Sequence, residues 1–296
     1  MNRFIILSGG AGTRLHPLTK GISKQLLPIF SKPMIYYPLS TAMLFGARDI
    51  LIITTPEDKE NFKRLLGNGS QYGVRLQYAV QPEPKGLAQA FLIANECGFL
   101  EKGKECGLIL GDNLFYDNGL SSLFRKAKGR LLLYERAQLF GIRVKDPERY
   151  GIAEIDENGK FISIEEKPQH PKSDICVTGL YLYPGDIVEK AEKVTPSERG
   201  ELEITSINQM YLDEEAIDIN VLGRGAVWLD TGTFDSLSEA SGFVEAVEKR
   251  SGCMISCPEE IAFRNGWLDN DELWDIGLSM QKNEYGQYLM KLAYKK

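Results

Sequence analysis

Histidine is scarce in this chain: of 296 residues only His16 and His170 are histidines, one in a glycine-rich segment and one in a proline-flanked loop. A Ser-His-Asp arrangement or a histidine-rich zinc site has too little to work with. Catalysis, if present, must rest on lysine, arginine and carboxylate. The five cysteines, Cys97, Cys106, Cys176, Cys253 and Cys257, are odd in number and lack framework spacing. They read as free thiols in a reducing compartment rather than a disulfide scaffold; a metal pair at Cys253 and Cys257 is the alternative. No apolar run approaches the ~20 residues of a membrane helix. The stretch Phe4 to Leu7 is too short for a secretory signal. The expectation is a soluble, cytoplasmic protein without a membrane partner.

Acid is missing from one end. The chain holds 41 Asp and Glu residues and a net charge of −6, yet none of those acids falls between Met1 and Arg48. That stretch carries Arg3, Arg14, Lys20, Lys24, Lys32 and Arg48. The overall charge argues against nucleic acid as a partner. A cationic segment inside an acidic protein suits a polyanionic small ligand, the plainer reading being a basic surface face.

What is present is an alternation of strand and helix patterns. Phe4 to Leu7, Ile50 to Thr54, Leu76 to Val80 and Leu108 to Leu110 read as buried parallel strands, with helices over Glu57 to Leu66 and Leu87 to Cys97 between them. Thr55 and Asp58 suggest a capping box for the first helix. Lys32 to Gly46 also reads as helical, with a kink or break expected at Pro38. This spacing predicts an α/β fold with a doubly wound sheet. Further on, Tyr150 to Ile155, the turn at Asn158-Gly159 and Phe161 to Glu165 read as a hairpin. Val177 to Tyr183 and Ala226 to Leu229 are strand candidates, and helical periodicity returns over Ser236 to Arg250 and from Leu268 to the end. The expected division is a core over residues 1–240, which includes a second subdomain, and a C-terminal helical region over residues 241–296.

Four segments carry chemistry. Leu7 to Leu15 places glycines straight after the first strand, where bare backbone can approach phosphates. A dinucleotide fingerprint counted from Gly10 would need its third glycine at Leu15, and no Gly-Lys-Ser/Thr follows to make a P-loop. A glycine turn remains, followed by the cations Arg14 and Lys24, which suit a triphosphate. Asp112, in Gly111-Asp112-Asn113, and Asp230, in Asp230-Thr231-Gly232, each follow the carboxyl end of an apolar strand, where open α/β sheets bind ligands. Such a pair could share a Mg²⁺ on phosphate oxygens, although a lone Asp there is commonly a turn-former. Lys167, in Glu165-Glu166-Lys167-Pro168, could hold a second phosphate.

Taken in order, these segments resemble bacterial glucose-1-phosphate thymidylyltransferases. The resemblance runs through Gly9-Gly10-Ala11-Gly12-Thr13-Arg14-Leu15-His16-Pro17, Ser23-Lys24-Gln25-Leu26-Leu27-Pro28, Gly86-Leu87-Ala88-Gln89-Ala90 and Gly111-Asp112-Asn113. It continues through Asp146-Pro147-Glu148-Arg149-Tyr150-Gly151, Glu166-Lys167-Pro168, Val177-Thr178-Gly179, Gly200-Glu201-Leu202-Glu203-Ile204-Thr205 and Trp228-Leu229-Asp230-Thr231-Gly232. It implies a Rossmann-like, mixed and mostly parallel sheet flanked by helices, with a C-terminal helical appendage. It implies that Gly9, Gly12, Thr13 and Arg14 surround the triphosphate of dTTP, with Lys24 and Gln25 beside it, and that Gln81 and Gly86 read the thymine. It further implies Mg²⁺ on Asp112 and Asp230, a sugar pocket at Gly151, Glu166 and Val177, and Lys167 on the phosphate of glucose 1-phosphate. Arg14, Lys24 and Lys167 are then the catalytic cations. A homotetramer is implied, with a dTDP-rhamnose feedback site near Glu260, Ile261 and Arg264, serving cell-surface polysaccharide synthesis. The chain departs from the family at Phe234, usually His, at Lys85, usually Asp, at Ser8, usually Ala, and over Arg130 to Ile142. Other readings are a related UTP- or CTP-using transferase, a non-catalytic sugar-nucleotide sensor and a nicotinamide oxidoreductase.

Overall fold

Arg3–Ser8 forms β1, and its apolar run is unbroken because both of its faces are covered. Ile5 and Leu7 enter one core while Phe4 and Ile6 enter another, the two-residue alternation of extended chain. The computed structural model describes residues 1–294. After β1 come the two-residue strands β2 (Pro28–Ile29) and β3 (Lys32–Pro33), then β4 (Asp49–Thr54), β5 (Arg75–Val80) and β6 (Cys106–Leu110). The second half adds β7 (Asn113–Tyr116), β8 (Ala137–Arg143), β9 (Gly151–Ile155) and β10 (Phe161–Glu166). It ends with β11 (Ile175–Tyr183), β12 (Ile217–Val221) and β13 (Val227–Asp230). The helices are α1 (Tyr36–Leu44), α2 (Lys59–Leu66), α3 (Gln89–Glu96), α4 (Leu120–Tyr134) and α5 (Ile187–Glu192). They continue with α6 (Ile204–Asp213), α7 (Phe234–Ser251), α8 (Pro258–Arg264), α9 (Asn270–Ser279) and α10 (Glu284–Tyr294).

The main sheet is mixed. Its path runs β10-β9-β11-β6-β1-β4-β5, with β8 on β11 and β12 on β8. The strands β6, β1, β4 and β5 run parallel, as does β12 on β8, whereas β11 turns antiparallel against β6, β8 and β9. Helices α1, α2 and α4 cover one face, through Leu39, Phe62 and Phe124 among others, and α3, α5 and α6 cover the other, through Phe91, Ile187 and Ile207. The expected α/β architecture with a helical C-terminus is present. The expected strands and the hairpin are all found, each within a residue or two of its expected limits.

Several expectations change. Lys32 does not open a helix: Lys32-Pro33 pairs back on Pro28-Ile29, and α1 starts only at Tyr36. Pro38 therefore falls in the first turn, where no N–H is needed, and breaks nothing. Asp58 stands at the N-cap of α2 without its side chain bonding a helix N–H; Thr55 instead donates its hydroxyl to Asp58 Oδ2 at 3.1 Å, and Asp58 Oδ1 accepts the Ser23 N–H at 3.0 Å. The boundary expected between residues 240 and 241 falls inside α7, which runs unbroken from Phe234 to Ser251. The tail helices α8, α9 and α10 share a small core of Cys257, Leu273, Leu289 and Ala293. Of the helix expected to run to the end, residues 295 and 296 lie outside the described residues.

Candidate active site

The four parallel strands end together. Leu7 pairs with both Ile53 and Leu110, and Thr54 with Val80, so the segments beginning at Gly9, Thr55, Gln81 and Gly111 leave the sheet on one rim. The Gly111 N–H donates to Leu7 O at 2.9 Å and the Gln81 N–H to Thr54 O at 2.8 Å, stitching the segments at their roots. In the glycine loop, Gly10 and Gly12 take φ of 98° and 58°, which only glycine adopts freely. The Thr19 hydroxyl ties the loop by donating to Gly12 O at 2.7 Å.

Asp112 and Asp230 meet through a separate ribbon. β13 pairs antiparallel with β7, setting Asp230 opposite Asn113. Thr231 donates both its N–H, at 3.2 Å, and its hydroxyl, at 2.9 Å, to Asp112 O. The Asp112 carboxylate receives the Lys24 ammonium on Oδ2 and the Asn113 amide on Oδ1 at 3.0 Å. Burial alone would raise the Asp112 pKa, but Lys24 and Asn113 outweigh it and hold the carboxyl below its ordinary range. Asp230 shifts the other way. Burial raises its pKa, the facing charge of Asp112 raises it further, and Lys24, Arg14 and Arg149 offset only part. Glycine at 232 keeps this corner open: a Cβ there would lie 2.9 Å from Arg14 Nη2 and 3.0 Å from Asp230 Oδ1.

Arg14, Asp112, Gly151, Glu166, Lys167, Val177 and Asp230 all line one cleft of about 280 Å³. Gly151 and Glu166 are cross-strand partners in β9 and β10, and a side chain at 151 would crowd Glu166 Oε2 at 3.1 Å. Glu166 Oε2 also accepts the Thr205 hydroxyl at 3.0 Å. Lys167 takes a left-handed φ of 45° and donates its N–H to Tyr150 O at 3.0 Å, which turns its half-exposed side chain out of the strand into the cleft.

Gln81 lies instead along a neighbouring cavity of about 540 Å³ with Gly10, Ala11 and Thr55. Gln25 is buried beneath the rim, its Oε1 accepting the Ser23 hydroxyl at 2.6 Å. Gly86, at φ 105°, presses on another segment, and a Cβ there would sit 2.4 Å from Leu202 O. Glu260, Ile261 and Arg264 lie elsewhere, lining a cavity of about 420 Å³ with Leu44, Phe115 and Tyr116. Cys257 is buried and Cys253 exposed, both with free thiols.

The structure adds residues that the sequence reading did not assign. Arg149 sits over the Tyr150 ring at 5.4 Å and holds Asp146 at 2.5 Å, at the cleft wall. Asn113 Oδ1 accepts both the Trp228 indole N–H at 2.7 Å and the Gly179 N–H at 3.1 Å. Both residues stand inside motifs already quoted, so their position was the signal. A rim of cations around two facing carboxylates, with a polar recess beyond, can hold two anionic substrates and bring their phosphates together.

The nucleotidyl transferase family model matches residues 3–247. A glucose-1-phosphate thymidylyltransferase of Neisseria meningitidis serogroup A is 53% identical, over 98% of this chain and 99% of its own. One of Mycolicibacterium smegmatis is 50% identical, over 98% of each chain. A crystal structure from Bacillus anthracis in complex with sucrose, provisionally assigned the same activity, superposes with a TM-score of 0.73 at 39% identity, covering 81% of this chain and 94% of that one. With its strand-end rim, its paired carboxylates and these relatives, the chain belongs to the nucleotidyl transferase family, among the glucose-1-phosphate thymidylyltransferases.

Proposed function

We propose that the protein joins dTTP and glucose 1-phosphate to give dTDP-glucose and pyrophosphate. The observation that carries this reading is the meeting of Asp112 and Asp230 across the β7/β13 ribbon, ringed by Arg14, Lys24, Arg149 and Lys167. A phosphate oxygen of the sugar phosphate bonds to the α-phosphorus of dTTP, and the bond to pyrophosphate breaks. The nucleophile is already anionic, so no general base is required, in keeping with a cleft without histidine. Arg14 and Lys24 stand on the glycine-loop side and serve the triphosphate. Lys167 stands on the sugar side with Glu166 and serves the acceptor.

The carboxylate pair suits Mg²⁺. Asp230 carries a charge that its neighbours balance only in part, and a divalent cation held by Asp112 and Asp230 would relieve that repulsion. Among the described residues no cluster of three or more His, Cys, Asp and Glu stands ready for a metal. That fits an ion that takes one or two carboxylates and completes its shell with phosphate and water. Bound there, Mg²⁺ would neutralise charge between the phosphates.

The cavity at Glu260, Ile261 and Arg264 is separate from the cleft and supports a feedback site for a product sugar nucleotide such as dTDP-rhamnose, within a homotetramer. Among the described residues no helix is long and apolar enough to cross a membrane, which fits a role in supplying precursors for cell-surface polysaccharide from the cytoplasm. Pyrophosphate release, measured with glucose 1-phosphate and each of dTTP, UTP and CTP, tests the assignment. Fastest turnover with dTTP is expected, and a several-hundredfold preference for UTP would overturn it.

A further inference from the structure

The Gln81 side chain packs against Gly9 of the glycine loop, and an amide can face a ligand with either its oxygen or its nitrogen. Which end it presents is settled by a relay through Gln89 to the backbone of Lys85. The Lys85 backbone N–H, which also reaches Glu83 O at 2.9 Å, points at the side-chain amide of Gln89 at 3.2 Å. A backbone N–H can only donate, so the atom of Gln89 that meets it is the oxygen. That same oxygen lies 2.8 Å from the Gln81 amide, which must therefore turn its nitrogen inward to donate. The chain of donors and acceptors admits one arrangement, with Gln81 Oε1 left facing the glycine loop. A Cβ on Gly9 would stand 2.1 Å from it, and it accepts no bond from the described residues.

We infer that Gln89 is a positioning residue for base selection, locking the Gln81 amide so that its oxygen meets the ring N3–H of a 4-oxopyrimidine. The inference rests on the reading that Gln81 faces the base. Thymine and uracil both present a donor at N3 beside an acceptor at O4. Cytosine presents an acceptor at N3 beside an amino donor, the complement of the flipped amide. The lock therefore rejects cytosine and is blind to the thymine methyl. Gln89 is well placed for the task. It is the first residue of α3, and Ala90, Phe91, Ile93 and Ala94 anchor that helix in the core. The anchoring donor is backbone, so the Lys85 side chain, paired outward with Glu83 at 3.0 Å, leaves the lock intact although it departs from the family residue.

The test measures kcat/KM for dTTP, UTP and CTP in the wild type, Gln81→Ala, Gln89→Met and Gln89→Glu, with thermal melting as the fold control. Where CTP turnover is too slow, its inhibition of the dTTP reaction replaces it. Gln89→Met frees the amide to flip, and the dTTP-over-CTP ratio should fall about tenfold, the worth of one net hydrogen-bond preference. The dTTP-over-UTP ratio should stay put. Gln89→Glu keeps an oxygen that accepts both bonds and should keep the wild-type ratios. An unchanged dTTP-over-CTP ratio in Gln89→Met, or equal movement of both ratios, overturns the lock. Should the Met variant fail to fold, loss of the ratio in Gln89→Glu overturns it equally. If Gln81→Ala leaves base preference untouched, the base-facing reading itself is wrong. If Gln81→Ala erases the preference and Gln89→Met does not, only the lock is wrong.

Discussion

The ammonium of Lys32 lies 2.6 Å from the carboxylate of Glu248, with the two side chains only 1% and 8% exposed. Glu248 also accepts the Ile255 N–H at 2.8 Å and the Ser31 hydroxyl at 3.3 Å. The pair thus clamps the small β2/β3 hairpin, which follows the loop of Lys24 and Gln25, to the end of α7. Removing one member strands the other charge in the interior. Lys32→Met should cost about 3–5 kcal/mol, read from urea unfolding. Adding Glu248→Leu removes the stranded charge and should recover part of that loss. A single variant as stable as wild type would show that the pair contributes little.

Asp112 and Asp230 should respond oppositely to replacement. Asp230 has a raised pKa when folded, so its contribution to stability is present below the unfolded value and lost as pH rises through the folded one. At neutral pH, without Mg²⁺, its charge burdens the fold. Asp230→Asn should therefore melt higher than wild type, by roughly 2–4 °C per kcal/mol relieved, with the gap closing in acid. Asp112 is depressed by Lys24 and Asn113 against its burial, so its contribution is present at neutral pH and lost as pH falls through the folded value. Asp112→Asn should melt lower. Both should lose about 10²- to 10³-fold in turnover. Near-normal turnover in either variant across a Mg²⁺ titration would remove that residue from the metal site.

Lys167→Ala should raise KM for glucose 1-phosphate by about 10- to 100-fold, the cost of one charge-assisted hydrogen bond, and move KM for dTTP far less. Its side chain enters the cleft beside Glu166, on the sugar side. Equal losses in separate titrations of the two substrates would mean that Arg14, Lys24 and Lys167 act as one shared cluster.

Much of this was legible in the sequence, for a physical reason. Strands buried on both faces must be continuously apolar, so β1, β4, β5 and β6 announced themselves, and the glycines and carboxylate just beyond β1 and β6 marked the rim. β8 stayed hidden because Gln138, fully buried, is a poor signal for a strand. Its amide is satisfied by Asp218 at 3.0 Å and by Asn220 at 3.1 Å. The short helices α5 and α8 were missed too, since tertiary burial rather than periodicity holds them. Arg149 stood within a quoted motif, but sequence cannot show that Tyr150 and Asp146 fix its guanidinium at the cleft wall.

Arg264 lies in an ion pair with Glu260, its Nη2 at 2.7 Å from Oε1, and both line the cavity of about 420 Å³ shared with Ile261. If that cavity binds a regulatory sugar nucleotide, Arg264→Ala should weaken inhibition by dTDP-rhamnose by about tenfold or more and leave uninhibited turnover near wild type. Inhibition curves at fixed substrate would show it. Retained inhibition, competitive with dTTP, would place the inhibitor in the catalytic cleft instead.

Asp230 reaches its partner carboxylate through a ribbon of only four residues on each side, outside the main sheet. Successive residues of a strand face opposite ways, so a one-residue slip of β13 against β7 would turn the carboxylate from the cleft to the far side. The nine-stranded sheet, whose last strand is β12, would not register the change. The short ribbon therefore works as the gauge of the site: Thr231, bonded twice to Asp112 O, holds its register, and a slip there would leave a folded protein with the two halves of one site out of phase.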